Sequence, residues 1–488
     1  MNIAIVASEC APYAKTGGLA DVIGALPAHL ASPEDDVRVF IPKYSTIDET
    51  AHGLTWLGEY GEIPVRVGGL VRSVFLHRAT LPGSAVPVFF IDCREFFHRG
   101  ALYTNDWDED ERWILFSKSV IEAMQRMRWK PDIVHCNDWQ TGLMPLLLKD
   151  NYRWDQLFRT TGILFTIHNI GYQGRFSPDT THKAELRGDL FFPGGPLEFN
   201  GTFSMMKAGI LFADAVSTVS PTYAREILTE AYGAGMETVL RTRARHLTGV
   251  LNGIDVRVWD PASDRHLPFR YSAEDLTGKN ENKRYLLAES GLPYDERRPL
   301  IGIISRLAAQ KGFDTVEGAL EELMALDAQW IVLGTGEERY ERMFRGLAER
   351  YPDRVRTVIG FDDRLAHHIE AGADIFVMPS HYEPCGLNQM YSLRYGTVPV
   401  VRKTGGLADT VFDWHERRAA GRSDGNGFTY NDATPFALTH ALTRAVDSFR
   451  LPEEWRIIQR NGMRADLSWQ HSAAEYRTLY RTAMDNRT

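Results

Sequence analysis

Short runs rich in valine and isoleucine recur along this 488-residue chain. Each is closed by a cluster of Gly, Pro, Asn or Asp and followed by a stretch of helical periodicity. The runs are apolar throughout rather than alternating, as suits strands of a parallel sheet covered by helices on both faces. The pattern predicts strands at 3–7, 37–41, 86–91, 132–135, 163–167 and 215–219, then at 300–304, 330–333, 355–359, 375–378 and 398–401. A turn-rich stretch at 252–268 separates the two sets, and a final helix is predicted over 473–484. A chain of this length exceeds the size at which single cores stop growing. The reading is therefore α/β: two Rossmann-like, doubly wound domains facing across a cleft. Their boundaries fall at 1–250 and 251–458, with 459–488 a helical segment expected to pack back on the first domain.

Composition narrows the function classes. With 55 Lys and Arg against 64 Asp and Glu, the net charge of -9 argues against a nucleic-acid partner, so any anionic ligand must be met by local positive charge. Cys10, Cys93, Cys136 and Cys385 are scattered without a CxxC pair, which fits a reducing cytoplasm better than a disulfide framework or a zinc site. No signal-type leader precedes the first strand, and no apolar run nears the roughly 20 residues that cross a bilayer. The expectation is a soluble, cytoplasmic protein without a membrane partner.

One heptapeptide occurs twice. KTGGLAD spans 15–21 and again 403–409, each time between a β-run and a helical run. A glycine pair there turns the chain tightly and aims free amides at whatever lies beyond the strand end, where a helix N-terminus favours negative charge. A second group of candidates follows the strand at 300–304: Arg306 can fork across a diphosphate and Lys311 can place a point charge on it. After the strand at 375–378 comes Glu383, followed by Cys385, Gly386, Leu387 and Asn388. That carboxylate suits either sugar hydroxyls or the dipole of the next helix. His168 ends a strand in the first half and leads into Tyr172 and Gln173, while His135 and Asp138 lie in HCNDWQTG; a lone histidine serves structure as readily as chemistry.

Metal chemistry has weak support. Asp106, Asp108 and Asp110 alternate just before a helical segment, where acids complement the dipole, and His367 and His368 are sequence neighbours that cannot face one point on a helix. No metal and no cofactor are expected.

Taken together, the segments at 8–30, 135–143, 165–174, 251–264, 305–314, 379–401 and 403–411 are similar to those of the bacterial glycogen synthase and plant starch synthase family, in order and over nearly the whole chain. The resemblance implies the two-Rossmann glycosyltransferase architecture called GT-B, with the first domain on the acceptor side and the second on the donor side. It implies an ADP-glucose donor, an α-1,4-glucan acceptor and transfer with retention, with oligomeric state left open. Residue by residue, Lys15, Gly18 and Asp21 would serve the donor pocket, and Arg306 and Lys311 the diphosphate. His168 would lie beside the glucose and Glu383 on its hydroxyls, with Cys385, Gly386, Leu387 and Asn388 close by. Phe361 would stack on the base; Asp138, Tyr172 and Gln173 would lie on the acceptor side. The chain departs from common family members at His381-Tyr382, at Asn388 and at Phe361, where Tyr is usual and a phenolic hydrogen bond would be lost.

From that retention and from the single well-placed carboxylate, Glu383, a mechanism is predicted. The leaving diphosphate, clamped by Lys15, Arg306 and Lys311, accepts the proton of the acceptor 4-hydroxyl attacking from the same face, and Glu383 orients glucose without becoming a nucleophile. Competing readings are a GT-B enzyme using UDP-glucose on a small acceptor and a glucan-binding protein that has lost catalysis. Glycogen phosphorylase fits worse, since no segment suggests its pyridoxal phosphate site.

Overall fold

A computed structural model describes residues 1–487. It divides the chain into two compact units, one made of Met1–Gly253 together with the chain from Trp469 onward, the other of Ile254–Ser468. The helix Pro452–Met463 lies in the second unit, so the segment read as one piece from 459 is shared between the two units.

The first unit is built on a ten-stranded sheet. Its strands are β1 (Asn2–Val6), β2 (Asp36–Pro42), β3 (Thr55–Trp56), β4 (Ile63–Val67), β5 (Leu70–Thr80), β6 (Pro87–Asp92), β7 (Ile133–Asn137) and β8 (Gly162–Ile167). After three short strands that form a separate sheet, β9 (Arg175–Phe176), β10 (Glu198–Phe199) and β11 (Thr202–Ser204), it is completed by β12 (Ala215–Thr218) and β13 (Leu247–Gly249). The spatial order is β13-β12-β8-β7-β1-β2-β6-β5-β3, with β4 on β5. From β13 to β6 every pairing is parallel, whereas β5 pairs antiparallel with β3, β4 and β6. The chain leaves β1 toward β2 and β6, then returns to β7 on the other side of β1. The order therefore reverses between β1 and β7, which makes their carboxyl ends the expected ligand edge.

The second unit repeats this plan with six parallel strands: β14 (Leu300–Leu307), β15 (Gln329–Gly336), β16 (Val355–Ile359), β17 (Ile375–Met378), β18 (Val398–Arg402) and β19 (Phe428–Tyr430), ordered β16-β15-β14-β17-β18-β19. Its switch point lies between β14 and β17. Ile301, Ile303, Trp330, Val332, Ile375 and Val400 are buried on one sheet face, while Leu300, Ile331, Leu333, Phe376 and Val401 pack on the other. Burial on both faces is why these strands read as unbroken apolar runs.

All eleven predicted strands are present, with ends that differ by at most three residues. The strands that the apolar-run signal missed differ in burial or in length. β4 alternates buried and exposed positions, β5 is half solvated, and β13 and β19 have three residues each. The final helix, Trp469–Asp485, buries Tyr476 and Tyr480 in the first unit, where the Tyr480 hydroxyl meets His135 Nδ1 at 3.0 Å and Ser472 Oγ donates to Leu251 O at 2.5 Å. Among the described residues no helix is long and apolar enough to cross a membrane.

Candidate functional site

Most candidate residues of each unit lie at or beside its own switch point. In the first unit, the chain leaving β1 reaches Glu9, whose buried carboxylate organises the loop beyond it. Thr16 N donates to Glu9 Oε2 at 2.6 Å, Thr16 Oγ1 to Oε1 at 2.7 Å and Gly17 N to Oε2 at 3.2 Å; the Tyr103 hydroxyl donates to Oε1 as well. Glu9 thus shapes the first KTGG loop, a role the sequence reading did not assign. The only hint was an acid at the end of the first strand. Lys15 lies on the exposed side of the loop with Nζ 2.6 Å from Asp21 Oδ1, and Gly18 opens the helix Gly18–Leu30. A Cβ built on Gly17 meets nothing within 4 Å and its φ is -155°, so neither packing nor backbone geometry requires glycine there.

Across the switch point, Asp138 adopts φ 58°, a left-handed conformation rare outside glycine. Its Oδ1 accepts the amides of His168 (2.8 Å) and Asn169 (3.3 Å), which ties the end of β7 to the end of β8. His168 Nε2 lies 2.9 Å from Asn137 Oδ1. The Asn137 amide nitrogen is occupied by the carbonyls of Val6 and His135, so its oxygen must accept and the His168 proton sits on Nε2. Burial pushes the His168 pKa down to about 3, leaving a neutral ring with an unprotonated Nδ1. His135 is held between Thr166 Oγ1 (2.7 Å) and Tyr480 and is likewise neutral, its pKa lowered to about 3 by burial; it is a core residue. Tyr172 is exposed, whereas the Gln173 amide is spent on the carbonyls of Ile170 and Ala234 and braces its loop.

Burial raises the Asp138 pKa to about 7, against the two backbone amides that lower it. A carboxyl whose folded pKa is raised binds its proton more tightly in the native state, so stability falls as pH rises from about 4 to about 7 and levels off above. Asp138→Asn keeps an acceptor for both amides and removes the titration. The expected result is a flatter dependence of the urea midpoint between pH 4 and 7 than in the parent; parallel curves would refute it.

In the second unit, Lys311 Nζ lies 2.6 Å from Glu383 Oε2, and Ser380 Oγ donates to the same oxygen at 2.9 Å. Glu383 is 6% exposed, so it is a desolvated carboxylate facing one cation. Arg306, at the end of β14, is exposed and its guanidinium has no partner among the described residues. The turn to Lys311 needs Gly312 (φ 76°), where a Cβ would lie 2.0 Å from Pro379 O. The second KTGG copy differs from the first. Gly405 (φ 45°) and Gly406 pack against the chain at 383–385, where added Cβ atoms would lie 1.9 Å from Glu383 O and 2.0 Å from Cys385 O. Lys403 is paired with Glu416 at 2.7 Å. That copy supports the Glu383 loop from behind.

Cys385 is buried, Gly386 has φ 71°, and Leu387 precedes the helix Asn388–Arg394. Asn388 Nδ2 donates to Ile304 O at 2.7 Å and so ties β14 to that helix. Phe361, just past β16, is 84% exposed and offers a free ring face. The acidic triplet near 108 is occupied: Asp108 and Asp106 pair with Arg99 at 2.7 and 3.1 Å, and Asp110 with Lys183 at 3.1 Å.

Two doubly wound sheets, each with a lysine and a buried carboxylate at its switch point, fit the two-Rossmann, GT-B class of sugar-nucleotide glycosyltransferase. Residues 2–242 match the family described as starch synthase catalytic domain, and residues 289–461 match glycosyl transferases group 1. The chain is 45% identical to the glycogen synthase of Moorella thermoacetica, covering 100% of this chain and 98% of that protein. It is 47% identical to the glycogen synthase of an Anaeromyxobacter species, with 99% of each covered. The catalytic domain of starch synthase IV from Arabidopsis thaliana, bound to ADP and acarbose, superposes with a TM-score of 0.92 at 35% identity over 99% of both chains. Sucrose-phosphate synthase from Thermosynechococcus elongatus, at TM-score 0.60 and 16% identity, shares the fold. The chain belongs to the glycogen synthase family. It is a glucosyltransferase of glycogen synthesis, with a nucleotide-sugar donor and a glucan acceptor.

Proposed function

We propose that the donor is ADP-glucose and that glucose passes, with retention of configuration, to the non-reducing end of an α-1,4-glucan. The observation that carries the mechanism is the Lys311–Glu383 pair at 2.6 Å beside the unpartnered Arg306. Lys311 and Arg306 hold the donor diphosphate and stabilise the charge that grows on it as the glycosidic bond breaks. Lys15 and the amide of Gly18, in the first unit, are assigned to the donor as well, with Asp21 orienting Lys15. The leaving phosphate takes the proton of the incoming 4-hydroxyl. Glu383 binds glucose hydroxyls and stabilises positive charge at the anomeric carbon. Its side-chain hydrogen-bond partners are Lys311 and Ser380. His168, neutral and fixed by Asn137, lies beside the glucose, and Phe361 stacks on the base. Cys385, Gly386 and Leu387 line the sugar side, while Asn388 sets their position through Ile304. On the acceptor side, Tyr172 offers an exposed ring, and Asp138 and Gln173 hold the surrounding loops.

Adenine as the base is supported by the ADP in the description of the Arabidopsis relative's structure. Four buried cysteines, none in a disulfide among the described residues, support a cytoplasmic enzyme. With glycogen as acceptor, we expect kcat/KM for ADP-glucose to exceed that for UDP-glucose by about tenfold or more, a difference of about 1.4 kcal/mol. A preference for UDP-glucose would overturn the donor assignment, and nucleoside diphosphate release without chain elongation would overturn the reaction.

A further inference from the structure

A second constellation in the second unit lies apart from the residues assigned to the reaction. His367 is 1% exposed and sits on the helix Asp363–Gly372, one turn after Asp363, so the two side chains share a face. His266, from the loop preceding that unit's first long helix, brings its ring centroid within 4.6 Å of the His367 ring. One ligand atom from each of His266, Asp363 and His367 lies within 4.8 Å of the others.

The surroundings hold His367 in a ligating orientation. Asp264 Oδ2 accepts from His367 Nδ1 at 2.7 Å and from the Tyr395 hydroxyl at 2.6 Å, while Asp264 Oδ1 accepts the His266 amide at 2.8 Å. A carboxylate on Nδ1 places the imidazole proton there and leaves Nε2 with its lone pair, the arrangement that orients histidine ligands in metal sites. His367 Nε2 has no partner among the described residues. The ring is also clamped by Trp259, stacked at 3.9 Å and 5° on one face, with Tyr391 on the far side of the indole at 3.8 Å. His368, the sequence neighbour, is committed elsewhere, to Glu289 and to the His266 carbonyl.

We propose that His266, Asp363 and His367 form a binding site for one divalent transition-metal ion of the zinc type, which pins the 254–272 loop to the helix Asp363–Gly372. Two imidazoles and a carboxylate suit zinc or cobalt better than magnesium or calcium, which take all-oxygen shells. Ligands on tetrahedral zinc stand about 3.3 Å apart, so the site contracts on binding. His266 is half-buried and Asp363 exposed, and they supply that movement, while His367 stays fixed. Arg265, whose Nε lies 3.3 Å from His266 Nε2, swings away to solvent. Asp264 and Asp363 offset its charge. The ion takes no part in glucosyl transfer.

The test uses full-length protein stripped with EDTA and titrated with cobalt(II), then zinc(II). We expect one equivalent of cobalt to bind with visible d–d absorption, zinc to displace it, and the melting temperature to rise. Asp363→Ala is expected to weaken uptake about 100-fold or more. His266→Cys keeps a ligand, so uptake persists with a new thiolate-to-cobalt band in the near ultraviolet. Absence of one-equivalent uptake by the parent overturns the proposal. So does uptake that Asp363→Ala leaves unchanged, or a His266→Cys complex without the thiolate band.

Discussion

Glu383→Gln is expected to lower glucosyl transfer from ADP-glucose about 10²–10³-fold, the loss that follows removal of one preorganised electrostatic contact in a desolvated site. The substitution keeps the shape of the side chain and lets Ser380 donate as before, but it removes the negative charge facing Lys311 at 2.6 Å. The fall should appear in kcat more than in KM, because the charge matters most when positive character develops at the anomeric carbon. Lys311, partly exposed, can turn to solvent, so the variant should melt within a few degrees of the parent. Steady-state kinetics with ADP-glucose and glycogen provide the check. Activity within threefold of the parent would remove Glu383 from the reaction, and a glucosyl adduct trapped on its carboxylate would replace the same-face mechanism with a double displacement.

The second large effect separates the two copies of one heptapeptide. Gly405→Ala puts a methyl group 1.9 Å from the Glu383 carbonyl oxygen at a φ of 45°. Left-handed strain and overpacking each cost about 1–3 kcal/mol, so the variant should lose about 3 kcal/mol of stability and most of its activity, because the loop carrying Glu383 must move. Gly17→Ala meets open space at an extended φ, so its stability should stay within about 0.5 kcal/mol of the parent. If the first loop lets a diphosphate approach its backbone, the same change raises the KM for donor. Denaturant unfolding and donor kinetics on both variants decide the matter. Equal losses of stability would contradict the division of roles, and a Gly17→Ala enzyme with unaltered donor KM would take the first loop out of the donor site.

Much of the architecture is written in local patterning, and its legibility follows burial. Strands β14, β15, β17 and β18 are covered on both faces, so their sequences are apolar without interruption and stand out against the loops. β4 and β5 have one solvated face, and their alternation leaves no continuous apolar run to mark them. Glycine illustrates the limit of local reading in a different way. KTGG has one sequence in two places, yet Gly405 is demanded by the carbonyl of a residue 22 positions earlier and Gly17 by nothing in its surroundings.

The sequence by itself determined the α/β class, the two runs of strand and helix, the family, and the residue types that leave the strand ends, because each depends on short-range periodicity or on motifs of contiguous residues. Only the tertiary structure decided what those residues face. It alone paired Lys311 with Glu383 across 72 positions, put Glu9 under the loop that carries Lys15, and gave His135 to the core and His168 to the switch point. It also matched His367 with His266, 101 residues away, rather than with His368 next to it. Contacts of that range are set by how parallel strands stack into a sheet and where their carboxyl ends converge, and the spacing of residues along the chain carries no record of either.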